Sequence, residues 1–497
     1  MPEPRPPSVS PEMLEAMEEP ALPFLVDGTW RLSASDRTEP VLNPAQGTLL
    51  TRVPLCTPEE IDQAVRSAEA AFPAWRATPV PERAQVLFRY KQALEAHRDE
   101  LARVVSQENG KLLSDARIEV RRGIEVVDFA CGMPSLLMGE TLEGVARGVD
   151  SHTVRAPLGV VAGICPFNFP AMIPLWMFPV AIAAGNAFVL KPSERTPMTA
   201  VRLAEILIDS GLPPGVLCLV HGGRESVEAL LDHPGVRAVS FVGSAPVARY
   251  VYARAAAAGK RVQALAGAKN YLVVLPDADL DLAVNAVMSS AYGAAGQRSL
   301  AGSVVVPVGA AADPLLDRLA RKAEAVRVGD PLLEDSAMGP VIRQDARERI
   351  LAFIERGLAE GARLVVDGRH RNPGGGYFVS PTLFDGVRPD MSIAREEIFG
   401  PVLCAMRAGT VEEAVALANR SAFGNAASIF TRSGRDARIF RSRVETGMVG
   451  VNVGVAAPMA FFPFAGWKGS FYGDLHATGK DAVRFYTETR VVVERWE

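Results

Sequence analysis

The sequence predicts an α/β protein organised around a doubly wound parallel sheet, and three observations predict it. Short apolar runs at Gly159-Ile164, Ala187-Leu190, Val216-Val220 and Ala238-Val242 alternate with helical stretches near 171–184, 197–210, 224–231 and 245–258. Strand, helix, strand at that spacing is the pattern of parallel strands joined by helical crossovers. The alternation resumes after about residue 266, with strands at Tyr271-Leu275 and Ser303-Pro307 and helices near 279–295, 311–325 and 343–359. A chain of 497 residues with 48% hydrophobic and 22% charged content is too long for one core and has an ordinary globular composition, so two or three domains are expected.

In chain order, residues 1–22 are rich in Pro and Glu and read as a mobile tail with a short helix at Pro11-Met17. Strand-like runs follow at Leu22-Val26 and Val41-Pro44, the second closing on the turn signal Asn43-Pro44. At Thr57-Pro58-Glu59-Glu60 an N-cap threonine precedes a proline in the first helical position. Apolar Ile61, Ala64, Val65, Ala68 and Ala71 then recur at helical spacing. Further helices are expected at about 80–97, 99–109 and 112–137. The polar, alternating segment 140–155 suits an exposed strand or hairpin, and Gly374 to Tyr377 a glycine-rich turn. Arg490 to Arg495 alternates as a terminal strand available for pairing. No internal repeat is present.

Several function classes are disfavoured. A net charge of −4 and a pI near 6.0 give no basic field for nucleic acid or an anionic membrane surface. The most apolar stretch, Ala171 to Leu190, is interrupted by Pro174, Pro179, Gly185 and Asn186 and does not read as a membrane span. The acidic N-terminus resembles neither a secretory signal nor a transit peptide. Five scattered cysteines (Cys56, Cys131, Cys165, Cys218, Cys404) and six separated histidines give no metal-binding spacing, and the low cysteine density fits a reducing cytoplasm.

Three stretches carry candidate chemistry. Gly293-Ala294-Ala295-Gly296 would let backbone approach a ligand closely. Arg298 and the Ser299 hydroxyl follow, a pairing suited to a substrate with a carboxylate. Alone, this octapeptide reads better as a tight turn before a strand. Lys191-Pro192-Ser193-Glu194-Arg195 leaves the carboxyl end of an apolar strand, the edge where open α/β sheets bind ligands. Lys191 and Glu194 there could hold a ribose, and the carboxylate would repel a 2′-phosphate. Gly243 and Ser244 end another strand at a helix N-terminus that could accept a pyrophosphate. Both turns also have ordinary structural readings, and the usual Gly-x-Gly-x-x-Gly is missing.

Taken together, these motifs resemble the aldehyde dehydrogenase superfamily, in the form seen in its methylmalonate-semialdehyde branch. The resemblance rests on Ile164 to Pro170, Met172 to Trp176, Lys191 to Arg195, Phe241 to Ser244, Gly267 to Asn270, Gly293 to Leu300, Glu396 to Pro401 and Gly466 to Ser470. They occur in family order, over similarity running from about residue 23 to the C-terminus. It implies a Rossmann-type NAD domain (23–138 and 157–265), an α/β catalytic domain (266–466) and a β oligomerisation arm (139–156 and 467–497). A homodimer or homotetramer is implied with them. Phe167, Lys191, Glu194, Arg195, Ser244 and Glu397 match NAD-contacting positions, with Cys165, Gly243 and Phe399 in the same motifs. Asn168 matches the side-chain donor of the oxyanion hole, and Arg122 and Arg298 match the arginines that hold the substrate carboxylate. Arg122, in a helix with Arg117 and Arg121, also reads as part of a solvated charged face. No metal is implied.

The departure is at the nucleophile. The family pattern is Gly-Gln-Arg-Cys, and here Ser299 takes the cysteine position. A thiol is partly ionised near neutrality, whereas a serine needs an adjacent base, and no histidine lies within about forty residues in sequence. Leu265 stands where hydrolytic members carry a glutamate, which disfavours hydrolysis more than transfer to CoA. Tyr271 and Ala248 are further departures, and Cys165 is a conceivable substitute thiol. Three readings follow. One is NAD-dependent, CoA-acylating oxidation of a malonate- or methylmalonate-type semialdehyde, impaired or altered by Ser299, whether that serine is native or replaces a cysteine. Another is a catalytically dead NAD-binding scaffold. The last is non-redox chemistry on a carboxylated carbonyl compound.

Overall fold

Thr57 caps the helix Pro58–Ala77 in the way its sequence predicts. Its hydroxyl accepts from the Glu60 amide at 3.3 Å, and the Glu60 carboxylate accepts from the Thr57 amide at 2.8 Å, with Pro58 opening the helix. The same carboxylate takes the Ala34 amide and the Ser33 hydroxyl, so one capping box also pins the preceding loop. The computed structural model describes residues 21–496. The expected helix Pro11-Met17 and all but the last two residues of the expected tail lie outside them. Those two are held: Ala21 bridges to Arg52, and the Leu22 amide donates to the Arg52 carbonyl at 2.8 Å.

Two large sheets organise the chain. The first has eight strands in the order Thr29–Arg31, Phe24–Val26, Leu217–Leu219, Ala187–Lys191, Val160–Ile164, Val236–Val242, Arg261–Leu265, Phe471–Gly473. Its five central strands are parallel and its outer pairings antiparallel. From Val160–Ile164 the chain steps outward one way to 187 and 217, then returns to the other side at 236. That reversal opens a crevice at the carboxyl ends of Val160–Ile164 and Val236–Val242. The second sheet runs Arg363–Val366, Thr382–Asp385, Val402–Ala405, Gly302–Pro307, Asn270–Val274, Ala426–Phe430, Met448–Val451, parallel except at its first pair. The terminal strand Thr487–Arg495 finds its partner in Val149–Pro157, which pairs in turn with Thr141–Ala146.

The helix Met172–Ala183 explains the most apolar stretch of the sequence. Every residue from Ile173 to Ala183 is buried, so the helix is apolar all round because it lies inside a core. No helix of the described residues is long and apolar enough to cross a membrane.

Two expected helices are cut short. The one at 112–137 divides at Gly132 into Leu113–Cys131 and Met133–Leu136, with Pro134 unable to continue the first ladder. The one at 279–295 ends at Tyr292, because Gly293 (ψ 140°) leaves the helical region, and Ala294 and Ala295 then turn left-handed. The strands Arg261–Leu265, Thr382–Asp385, Val402–Ala405, Ala426–Phe430 and Met448–Val451 carry no alternation to betray them, since all are short and most of their residues are buried on both faces.

Candidate active site

The crevice of the first sheet gathers three of the predicted stretches. Lys191 ends its strand buried, and its ammonium lies 3.2 Å from Glu194. Burial works to raise the Glu194 carboxyl, but Lys191, its own backbone amide and Arg195 together hold it below its ordinary value. Arg195 reaches Asp345 at 3.3 Å and lies over the Phe167 ring at 5.5 Å; Phe167 packs edge-on against Phe399 at 5.9 Å. Ser244 is the N-cap of the helix Ala245–Ala257, but its exposed hydroxyl makes no capping bond. One expectation needs correcting. The Gly243 amide cannot serve an anion, because it donates to the Leu265 carbonyl at 3.1 Å. Glycine is needed there for space: a Cβ would sit 2.4 Å from the Phe241 ring.

Facing this crevice is the loop that enters the second sheet. Ala294 (φ 50°) and Ala295 (φ 51°) take left-handed conformations that cost an L-residue roughly 1–2 kcal/mol each. Gly296 (φ 70°) follows, and a Cβ on it would lie 2.2 Å from the Gly400 carbonyl. The left-handed turn therefore presses the loop onto the Glu397–Pro401 segment. Beyond it, Gln297 accepts from Ile342 and from Asn168 Nδ2 (3.0 Å to the Gln297 carbonyl). The Ser299 carbonyl accepts from Asn270 Nδ2 at 2.8 Å and Asn425 Nδ2 at 2.7 Å. Asn270 and Asn425 were not predicted as site residues. The first sat within a quoted motif without a role, and the second carries no local signal.

Ser299 is half-buried, and its hydroxyl has no hydrogen-bond partner among the described residues. No histidine pairs with it. His97 bonds Glu100, His221 the Pro23 carbonyl, His233 Asp62 and His476 the Gly466 carbonyl; His152 and His370 lie beside Glu494 and Asp367. Cys165 is buried with its sulfur 3.8 Å from that of Met177, and burial pushes its thiol well up, so it is held protonated.

The two arginines reach different partners. Arg298 folds back over the end of the helix Leu280–Tyr292, donating from its Nη2 to the Ser289 carbonyl and, at 3.1 Å, to that of Ser290. A cation there complements the negative helix terminus. Its Nε is buried with no partner among the described residues. Arg122 pairs with Glu125 at 2.9 Å and touches the Met459 sulfur at 3.1 Å. It shares the helix Leu113–Cys131 with Asp115 and Glu119, at spacings of seven and three residues that place all three near one face. Asp115 accepts from the Ala294 amide at 3.3 Å, so this helix flanks the loop that carries Ser299.

Glu397 accepts from the Ala268 amide at 2.8 Å through Oε1. Burial raises its carboxyl, against the Ala268 N–H, Lys269 and Arg349. A narrow cleft lined by Lys269, Gly296, Arg298, Glu397 and Phe399 runs here. Among the described residues no group of acidic, His and Cys side chains could hold a metal ion.

The chain is similar over most of its length to known proteins. The aldehyde dehydrogenase family pattern matches residues 30–492. Malonate-semialdehyde dehydrogenase 3 of Geobacillus kaustophilus is 55% identical over 97% of this chain and 100% of its own. An NAD complex from Sinorhizobium meliloti superposes with a TM-score of 0.95 at 46% identity, covering 96% of this chain and 98% of that one. The methylmalonate-semialdehyde dehydrogenase of Oceanimonas doudoroffii gives 0.94 at 46% identity, with the same coverage. The chain belongs to the aldehyde dehydrogenase family.

Proposed function

We propose that the chain is a semialdehyde dehydrogenase acting on malonate- or methylmalonate-type semialdehydes with NAD and CoA, and that Ser299 limits its chemical step. The observation that carries the substrate class is the 55% identity, over nearly the whole of both chains, to a protein named malonate-semialdehyde dehydrogenase. The orphaned, buried Nε of Arg298 supports an anionic group on the substrate.

NAD fits the residues present. The ionised Glu194 beside Lys191 offers an acceptor and a donor for adenosine ribose hydroxyls. The Ser244 hydroxyl stands uncommitted at a helix N-terminus suited to phosphate, and the second oxygen of Glu397 suits the other ribose. When bound, NAD accepts the hydride that leaves the aldehyde carbon. Asn168 commits one amide hydrogen to Gln297 and keeps its second for an oxyanion, alongside the backbone N–H of residue 299. The family resemblance assigns the carboxylate to Arg122 and Arg298, although here Arg122 pairs with Glu125 and Arg298 caps the helix Leu280–Tyr292. Ser299 supplies an attacking oxygen without a base, which is a slow nucleophile.

Assembly as a dimer or tetramer is supported by the three-stranded sheet, whose Leu142, Val491 and Val493 are about two-thirds exposed (64%, 65% and 66%). Five free, buried cysteines support a reducing, cytoplasmic setting. The unpartnered Ser299 hydroxyl favours the second reading, an NAD-binding protein without turnover. Steady-state assay of the Ser299 and Ser299→Cys forms with malonate semialdehyde, NAD and CoA separates them. Turnover in the Cys form supports the dehydrogenase, and silence in both forms with NAD still bound supports the scaffold.

A further inference from the structure

The segment from Phe167 to Met172 has no regular structure until its last residue, yet it carries Asn168. Four of its backbone groups are held from one short stretch of chain. Asn109 donates to the Phe167 carbonyl at 2.9 Å. Lys111 Nζ donates to the Asn168 carbonyl at 2.7 Å and lies 4.1 Å from the centre of the Phe169 ring. Glu119 Oε1 accepts from the amides of Ala171 at 2.8 Å and Met172 at 3.1 Å, the opening of a buried helix. Lys111 and Glu119 also pair with each other at 2.5 Å, and both side chains are 1% exposed.

A buried ion pair is costly to assemble, and apolar residues of similar volume often replace one without loss of stability. This pair is therefore poorly accounted for as a stability device. Its geometry accounts for it better, since the cation fixes the carbonyl of Asn168 and the anion fixes the amides three and four residues on. Asn168 is thereby clamped on the backbone side by Lys111, while its side chain reaches the Gln297 carbonyl two residues before Ser299.

We propose that Lys111 and Glu119 are positioning residues that hold the Asn168 amide in register with residue 299. The inference rests on Asn168 acting as the oxyanion donor of the proposed dehydrogenase, and it is tested in two ways so that the two can fail separately. In the Ser299→Cys background, Lys111→Met with Glu119→Leu removes both charges together and leaves no lone buried ion. Its expected kcat falls about a hundredfold, the scale of one lost oxyanion donor. KM and the NAD dissociation constant should stay within about threefold, because ground-state contacts are untouched. Adding Asn168→Ala should then cost nothing more, whereas it costs about a hundredfold alone. Lys111→Met with Glu119→Gln, which keeps an acceptor for the two amides and leaves no lone buried cation, should retain more of kcat than the Leu double variant. An unchanged kcat in the double variant, or losses that multiply with Asn168→Ala, overturns the proposal.

Hydrogen exchange of the peptide 165–173 in the Ser299 chain needs no turnover. Exchange there should quicken in the double variant while the helix Arg98–Asn109 keeps its protection. Unchanged exchange overturns the positioning role. If the Ser299→Cys parent proves inactive and the peptide still loosens, the positioning stands and the dehydrogenase reading falls.

Discussion

Asn168 donates its side-chain amide to the Gln297 carbonyl at 3.0 Å, across 129 residues of sequence. That bond joins the loop leaving the first sheet to the loop entering the second, two residues before Ser299. If Asn168 is the oxyanion donor and residue 299 the attacking position, as proposed, the two are fixed relative to each other before any substrate arrives, which is the condition for electrostatic preorganisation. In that reading the attacking atom, the Ser299 hydroxyl oxygen, is the weak member.

Glu194 should make the chain prefer NAD to NADP. Its carboxyl is held below its ordinary value by Lys191, its own amide and Arg195, so it is charged at neutral pH and should repel a 2′-phosphate if it lies at the adenosine ribose as proposed. Calorimetry should give an NADP dissociation constant at least about tenfold weaker, or about 1.4 kcal/mol. Glu194→Gln should narrow the gap. Equal binding of the two cofactors by the parent would contradict this assignment.

Glu108 should make stability fall with rising pH. It is fully buried and accepts from the amides of Met198 and Thr199 and from the Thr199 hydroxyl, at the start of the helix that follows the Lys191–Arg195 turn. Burial pushes its carboxyl from 4.5 up to about 7. A carboxyl raised in the folded state contributes stability that is fully present below 4.5 and is lost as pH rises to about 7. Across that window the parent should lose about 1 kcal/mol per pH unit relative to Glu108→Gln. Urea unfolding of both forms at pH 5 and 7 measures the difference, and parallel pH profiles would contradict it.

Ala294→Gly should not destabilise. At φ 50° the alanine Cβ carries a left-handed penalty that glycine avoids, offset in part by glycine's greater unfolded freedom. A gain of up to about 1 kcal/mol is expected, and Ala294→Val should cost more than about 2 kcal/mol. Denaturant midpoints decide the sign.

The exposed strands of the arm should mediate assembly. Light scattering should show a dimer or tetramer at micromolar concentration, and Val491→Glu with Val493→Glu should weaken it by burying charge. A monomeric parent would contradict this.

Legibility in the sequence followed distance along the chain. Thr57, Pro58 and Glu60 announce their helix because the cap acts over three residues. The crevice was legible because Lys191 and Ser244 each end an apolar run, and alternating runs order a parallel sheet. Gly293 to Gly296 signalled a close approach, but left-handed conformations at Ala294 and Ala295 cannot be read from composition, since alanine ordinarily avoids them. The sequence presented Arg298 as a free cation beside Ser299. Its capping of the helix end depends on where Tyr292 stops the ladder. Lys111, Glu119, Asn270 and Asn425 look like ordinary polar residues, because their partners lie tens to over a hundred residues away.

If Ser299 is the attacking residue, one atom should limit this site. The most direct test is the rate of NADH formation by the Ser299 and Ser299→Cys chains on malonate semialdehyde with NAD and CoA. Asn168, Arg122, Arg298, Lys191, Glu194 and Glu397 are all present, so the Cys form should turn over faster by about a thousandfold or more, the scale of a missing nucleophile. NAD affinity should be the same in both forms. A Cys form as inactive as the Ser form, with NAD bound equally by each, would show that the serine is not what limits the site.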